Sequence, residues 1–247
     1  MGRTPGIFAW LRIGAADCMG GGMKGRVVFV TGTDTGVGKT VLTCVLARRL
    51  RQRGLAVAAL KPVCSGGRTD ARLLRAATGA ELGLDDVNPW HFRPAVAPLL
   101  AARQIGLRLR RTDVLARIVP LRQRFDYVLV EGAGGLLSPL GEDFDSRDLI
   151  VGLDAWPVVV CPDRLGAINQ VLLVIEALPG RFAARAQVVL MSRGRASVVS
   201  RGNRQILAER LGAARVHMVP RLARGLITGR RRLAPDLGRT LDRLVGL

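Results

Sequence analysis

The sequence is poor in aromatics, with one tyrosine, three tryptophans and six phenylalanines among 247 residues. So thin a supply argues against a surface on which nucleic-acid bases stack. The two histidines, His91 and His217, stand far apart, and Cys18, Cys44, Cys64 and Cys161 form no CxxC pair. The usual zinc spacings are excluded, and the thiols read as free ones of a reducing compartment, which points to the cytoplasm. No apolar run reaches the ~18–20 residues that a membrane span needs, so no membrane partner is expected. Acidic charge is scarce: 19 Asp and Glu face 38 Lys and Arg, a net charge of +19. Such a balance can serve nucleic acid or a membrane surface. Here the excess is diffuse and heaviest from Arg181 onward, where fifteen arginines, including Arg230-Arg231-Arg232, accompany Glu209, Asp236 and Asp242. No zinc-finger, RNP or other nucleic-acid signature goes with it. The charge reads as an arginine-heavy surface, without a specific nucleic-acid partner.

Lysine is nearly absent, and that makes it informative. Of the 38 basic residues only Lys24, Lys39 and Lys61 are lysine. A chain that uses arginine almost everywhere keeps lysine where a compact charge on a flexible stem is needed and a planar fork will not serve. Lys24 lies in a glycine-rich leader. Lys39 and Lys61 both fall at the ends of expected strands.

The length suits one α/β domain. Residues 1–25, with a short apolar patch broken by Arg12 and then a glycine cluster, read as a disordered extension rather than a targeting peptide. Residues 26–247 read as a single domain, with a weak pattern beyond Pro220. Apolar, β-branched runs at 26–30, 55–60, 127–130, 156–161 and 187–191 predict five buried strands. Helical patterns fall at 41–53, closed by Gly54, in a short stretch opened by Asp70, at 112–124, and from Leu165-Gly166 to Leu178. Alternation of strands and helices predicts a mostly parallel sheet covered on both faces, a three-layer fold of the P-loop NTPase kind. The strand ending at Lys61 is expected beside the strand that leads into the glycine-rich loop.

That loop, Gly32-Thr33-Asp34-Thr35-Gly36-Val37-Gly38-Lys39-Thr40, joins a strand to a helix, the context that a phosphate-binding P-loop requires. Its backbone N–H groups and the helix N-terminus suit phosphate oxygens. Lys39 is placed to reach the β and γ phosphates and the Thr40 hydroxyl to bind Mg²⁺. The strict GxxxxGK[ST] spacing fails by one residue, since it asks for glycine where Thr33 stands. Glu131 follows a buried strand, where open α/β sheets place their ligands. With Asp70 and Thr40 it offers the carboxylates and hydroxyl that Mg²⁺ takes beside phosphate and water. Asp70 has a plainer reading as a helix N-cap.

The segments TGTDTGVGKT, KPVCSG, TDA, VNPWHF, VLVEGAGGLLSPL and RLGAINQVLL, in this order and over about two-thirds of the chain, resemble the dethiobiotin synthetase family. That family uses the same longer loop. The resemblance implies an ATP-dependent cyclo-ligase of biotin synthesis that closes a ureido ring on 7,8-diaminopelargonate with CO₂ and ATP, through a carbamate and its mixed anhydride with phosphate. It implies that Lys39 and Lys61 flank the developing charge, with Thr35 beside the reacting groups, and that Thr40, Asp70 and Glu131 hold Mg²⁺. Nucleotide contacts are implied at Gly36, Val37, Gly38, Lys39, Thr40, Val41, Gly132, Ala133 and Gly134. Ser65 is implied at the substrate. The family is homodimeric, which gives Gly166, Ala167, Ile168 and Asn169, at a helix start, the partner's substrate carboxylate.

The chain departs from the family in places. The loop from Lys61 to Asp70 is short. The Asn-Asp pair that reads the nucleotide base is replaced by Ser192-Arg193, and Pro220-Arg221-Leu222 retains the later base-side loop. A ParA/MinD-like ATPase is the competing reading, but it needs an early loop lysine where Asp34 stands. A non-catalytic paralogue is disfavoured by Lys39, Lys61, Asp70 and Glu131.

Overall fold

The computed structural model describes residues 25–192, 194 and 198–247. The chain runs through β1 (Arg26–Gly32), α1 (Lys39–Gln52), β2 (Val57–Leu60), β3 (Val63–Ser65), α2 (Thr69–Ala77), α3 (Leu84–Val87), β4 (Trp90–Phe92), α4 (Pro98–Gln104) and α5 (Arg111–Ile118). It continues with β5 (Tyr127–Glu131), α6 (Ser146–Gly152), β6 (Trp156–Pro162), α7 (Ala167–Ala177), α8 (Gly180–Arg185) and β7 (Gln187–Met191). It closes with α9 (Val198–Leu211), β8 (Val216–Val219), α10 (Arg224–Ile227) and α11 (Pro235–Leu244).

Six strands form a parallel sheet in the order β2-β5-β1-β6-β7-β8. β1 is central because its sequence is apolar on both faces: Val27 to Val30 are buried without alternation, as a strand covered on two sides requires. α1 gathers α2, α10 and α11 around one side, while α5 packs with α6 and α7 with α9. The chain leaves β1 toward the β2 edge and β6 toward the β8 edge, so the direction switches at the centre of the sheet, where such folds form their crevice. The carboxyl ends of β1, β5 and β6 deliver the loop at Gly32, Glu131 and Pro162 to that crevice.

All five expected strands are present, and three more lie beyond them. β3 and β4 make a separate parallel pair, and β8 forms the far edge of the main sheet. Two expectations change. β2 does not flank β1; it lies at the edge beside β5, so Glu131 stands between the Lys61 strand and the loop strand. The helix read over 112–124 stops at Ile118 and tightens into a 3₁₀ turn, Val119–Gln123, because Pro120 cannot donate the next helical bond. Gly25, counted above with the leader, is already packed, its N–H 2.9 Å from the Arg122 carbonyl. The preceding 24 residues of that extension lie outside the described residues.

The arginine-rich end is built into the domain. On α11, Leu237, Leu241 and Leu244 are buried, one apolar face at helical spacing, with Pro235 in the first turn. Asp242 fastens this helix to α1, accepting from Arg49 at 2.8 and 2.6 Å and from Arg53 at 3.1 Å.

Candidate active site

The loop after β1 turns at Gly36 and Gly38, with φ of +71° and +105°, a region open to glycine and strained for other residues. Gly38 also meets the Met191 side chain, which a Cβ would approach at 3.3 Å. Among the described residues, nothing accepts from the N–H groups of Gly36, Val37 or Gly38. Gly38 is the N-cap residue of α1, which has no side-chain cap. A concave row of free donors at a helix N-terminus is an anion site.

Lys39 bends back over the loop. Its Nζ donates to the carbonyls of Asp34 at 2.8 Å and Gly134 at 2.6 Å. Burial first, and then the neighbouring Lys61 charge, draw this ammonium down to about 8. Gly134 adopts φ of +70° and a Cβ there would collide with Ser138, whose hydroxyl accepts from Gly135 N–H at 2.9 Å. The Glu131 to Gly135 turn thus brings its carbonyl to Lys39.

Glu131 is fully buried at the end of β5. Its Oε1 accepts from Thr40 Oγ1 at 2.8 Å and from Lys61 Nζ at 2.6 Å. Lys61 also donates to the Gly132 carbonyl at 3.1 Å and lies 3.4 Å from Asp70 Oδ2. Burial alone lowers the affinity of Lys61 for its proton, but Glu131 and Asp70 together outweigh it and hold the ammonium above its ordinary value. Asp70 is not the helix cap: Arg68 occupies that position and Asp70 sits in the first turn. Its carboxylate is half-exposed to the cleft.

Three groups with oxygens suited to a hard dication therefore border the same cleft: the Thr40 hydroxyl on Glu131, and the Glu131 and Asp70 carboxylates, both beside Lys61. Glu131 Oε2 is buried with no hydrogen-bond partner, which a cation would satisfy. Among the described residues there is no cluster of three or more His, Cys, Asp or Glu fit for a metal. The donor set fits Mg²⁺ only as a partial shell, completed by phosphate and water.

These groups line a cleft of about 770 Å³. Thr35, Gly36, Gly38, Lys39, Thr40 and Val41 form one wall, and Lys61, Ser65, Asp70, Glu131, Ala133 and Gly134 the other. Val37 and Gly132 do not line it. Ser65 Oγ donates to Val96 O at 2.6 Å, tying β3 to the apolar segment 95–98, which also lines the cleft. A second hollow of about 220 Å³ opens on the other side of the loop, between Gly36 to Gly38, Val41, Pro162, Met191, Ser192, Arg221 and Leu222. Pro220 adjoins it, and Arg193 lies outside the described residues. Gly166 to Asn169 are not in the cleft of their own chain. They start α7 with Gly166 at φ of +87°, and Leu165, Gly166 and Asn169 are exposed.

Sequence reasoning missed Cys64, Arg68, Asn88 and Ser138, which border or brace the cleft. Asn88 stood in the quoted VNPWHF segment. Its signal was a polar residue ahead of a proline at a position that proves fully buried.

Residues 26–224 match the AAA domain family. The chain is 41% identical over 206 residues to the ATP-dependent dethiobiotin synthetase BioD of Pseudomonas paraeruginosa, covering 79% of this chain and 90% of that protein. It is 34% identical over 206 residues to the protein of the same name from Aromatoleum aromaticum, covering 80% and 92%. Among solved structures it resembles the MinD cell division protein of Aquifex aeolicus with a TM-score of 0.57 at 16% identity, covering 90% of this chain and 97% of that one. It also resembles pNOB8 ParA bound to nonspecific DNA, with a TM-score of 0.53 at 14% identity, covering 90% and 99%. Likeness at such low identity concerns the fold alone.

Proposed function

The chain belongs to the dethiobiotin synthetase family, and from that we propose that it closes the ureido ring of dethiobiotin from 7,8-diaminopelargonate, CO₂ and ATP. The observation that carries this reading is the convergence of Lys39, Lys61, Thr40, Asp70 and Glu131 on one cleft.

The reaction needs fixed positive charge rather than a strong base. One substrate amine adds to CO₂ and loses a proton to give a carbamate. A carbamate oxygen attacks the γ-phosphorus of ATP and the bond to the ADP oxygen breaks. The second amine then attacks the carbamoyl carbon, phosphate departs, and the amine proton is lost. In this scheme the N–H groups of Gly36, Val37 and Gly38 hold phosphate oxygens, and Lys39 exchanges its carbonyl partners for the γ-phosphate. Lys61 faces the carbamate, and the Thr35 hydroxyl stands at the loop tip beside the reacting groups. Thr40, Asp70 and Glu131 hold Mg²⁺, which when bound neutralises phosphate charge.

Val41 and the backbone of Gly132, Ala133 and Gly134 contact the nucleotide. Ser192, Arg193, Pro220, Arg221 and Leu222 border the base side. Ser65 orients the diamine, whose methylene chain suits the apolar wall at 95–98.

Residues 26–247 act as one ligase domain in the cytoplasm. No helix of the described residues is long and apolar enough to cross a membrane. A homodimer accounts for the exposed start of α7: Gly166, Ile168 and Asn169 offer backbone donors to the partner's substrate carboxylate around Ala167, whose own N–H already donates to Arg164 O at 3.1 Å, and Leu165 and Leu173 beside them are exposed.

The test is ADP release with and without the diamine and bicarbonate. ATP turnover that depends on both is expected. Turnover indifferent to either would point to an ATPase of another kind.

A further inference from the structure

Lys61 stands on backbone that the main sheet does not hold. β2 stops at Leu60, and Pro62 follows with no N–H to donate. The segment 84–90 takes over. Lys61 N–H donates to Val87 O at 2.8 Å, and the Lys61 carbonyl accepts from Asn88 Nδ2 at 2.6 Å. Asn88 is fully buried, and every polar position of its side chain is filled. Nδ2 also donates to Trp90 O at 3.3 Å. Oδ1 accepts from Cys64 Sγ at 3.3 Å and from Arg68 Nε at 3.2 Å.

The arrangement fixes which way the amide points. Two carbonyls face its nitrogen, and the guanidinium, which can only donate, faces its oxygen. Arg68 is itself braced: its Nη2 donates to Leu84 O at 2.8 Å and Asn88 O at 3.0 Å and pairs with Asp85 at 2.8 Å. Arg68 immediately precedes α2, whose first turn carries Asp70. One amide thus joins the backbone under Lys61 to the helix start under Asp70, two side chains that meet at 3.4 Å in the cleft. Burying an amide is costly unless all its bonds are made, and an apolar residue would fill the space while leaving the Lys61 carbonyl without its donor.

We propose that Asn88 is a positioning residue for ring closure: its amide, oriented by Arg68, sets the Lys61 backbone and so places the ammonium between Glu131 and Asp70. This rests on the reading that Lys61 acts on the reacting groups. Lys39 and the loop donors have no part in the brace, so the loop's own hold on the phosphates does not depend on it.

The experiment measures product formation per ATP-binding site, with site number and affinity from calorimetry, in Asn88→Ala, Arg68→Ala and Lys61→Gln. A misplacement of about 1 Å costs ~10²-fold in rate. Turnover per site is expected to fall by about that in Asn88→Ala and by about tenfold in Arg68→Ala, with ATP affinity within about threefold of wild type. A packing role alone would reduce the number of sites and leave turnover per site near wild type. Turnover per site within about twofold of wild type in both variants overturns the proposal. If Asn88→Ala does not fold, Arg68→Ala decides by the same criterion. Normal turnover in Lys61→Gln removes the reading of Lys61, and this inference with it. A dead Lys61→Gln beside normal Asn88→Ala and Arg68→Ala removes the positioning role alone.

Discussion

The ammonium of Lys61 lies 2.6 Å from Oε1 of Glu131, the oxygen that also accepts the Thr40 hydroxyl at 2.8 Å. A buried carboxylate thus joins the hydroxyl at the start of α1 to the lysine that follows β2. The pair is buried on both members, and an isolated charge there would be expensive.

Lys61→Arg keeps the charge but carries a larger, flatter head group that misplaces a reacting oxygen. The expected result is ATP affinity within a few-fold of wild type, since the loop donors and Lys39 are untouched, with loss of most ring closure. Calorimetry of ATP binding beside product formation from labelled bicarbonate measures both. A parallel fall of the two would make Lys61 a nucleotide contact.

ATP binding should depend on pH through Lys39. Burial and then the Lys61 charge bring its ammonium down to about 8 in the free protein, and polyanionic ATP favours the charged form. Above pH of about 8, binding takes up a proton and affinity falls as pH rises. The unfolded chain, with an ordinary value of 10.5, binds more protons between about 8 and 10.5, so this group's contribution to stability rises with pH over that window. Calorimetry near pH 9 in buffers of different ionisation enthalpy reads the uptake. Lys39→Gln should bind ATP without it and lose about 10²–10³ in turnover. Equal heats in all buffers for the wild type would contradict the assignment.

Asp242→Asn tests the clasp of α11 on α1. A hydrogen bond from Arg49 first, and the charges of Arg49 and Arg53, hold the Asp242 carboxyl below its ordinary value against burial. Its stabilisation is present above the unfolded value and fades as pH falls through the lowered one. The substitution should cost about 1–3 kcal/mol at neutral pH, read by urea denaturation, with little change at strongly acid pH. An equal loss at both pH values would assign the effect to packing.

The loop, Lys61 and Glu131 were legible because their chemistry is local: a run of β-branched residues, glycines where the chain must turn, and the few lysines in an arginine-rich chain. Strand order was not, because nothing near Lys61 says that β5 inserts between β2 and β1. β8 and α11 were hidden for another reason. Leu237, Leu241 and Leu244 keep helical spacing, but Arg230 to Arg232 and Arg239 dilute the pattern, and Asp242 finds its partners on α1 and at its C-cap, 193 and 189 residues away. Asn88 was invisible as a brace since three of its four partners, Lys61, Cys64 and Arg68, stand 27, 24 and 20 residues away in the chain.

The most direct measurement supplies ¹³C-bicarbonate, ATP and 7,8-diaminopelargonate and identifies the product by mass spectrometry. The expected product is dethiobiotin with the label in the ureido carbonyl, formed with one ADP and one phosphate per ring. ATP hydrolysis without any labelled ring, from protein that binds both ATP and the diamine, would contradict the account.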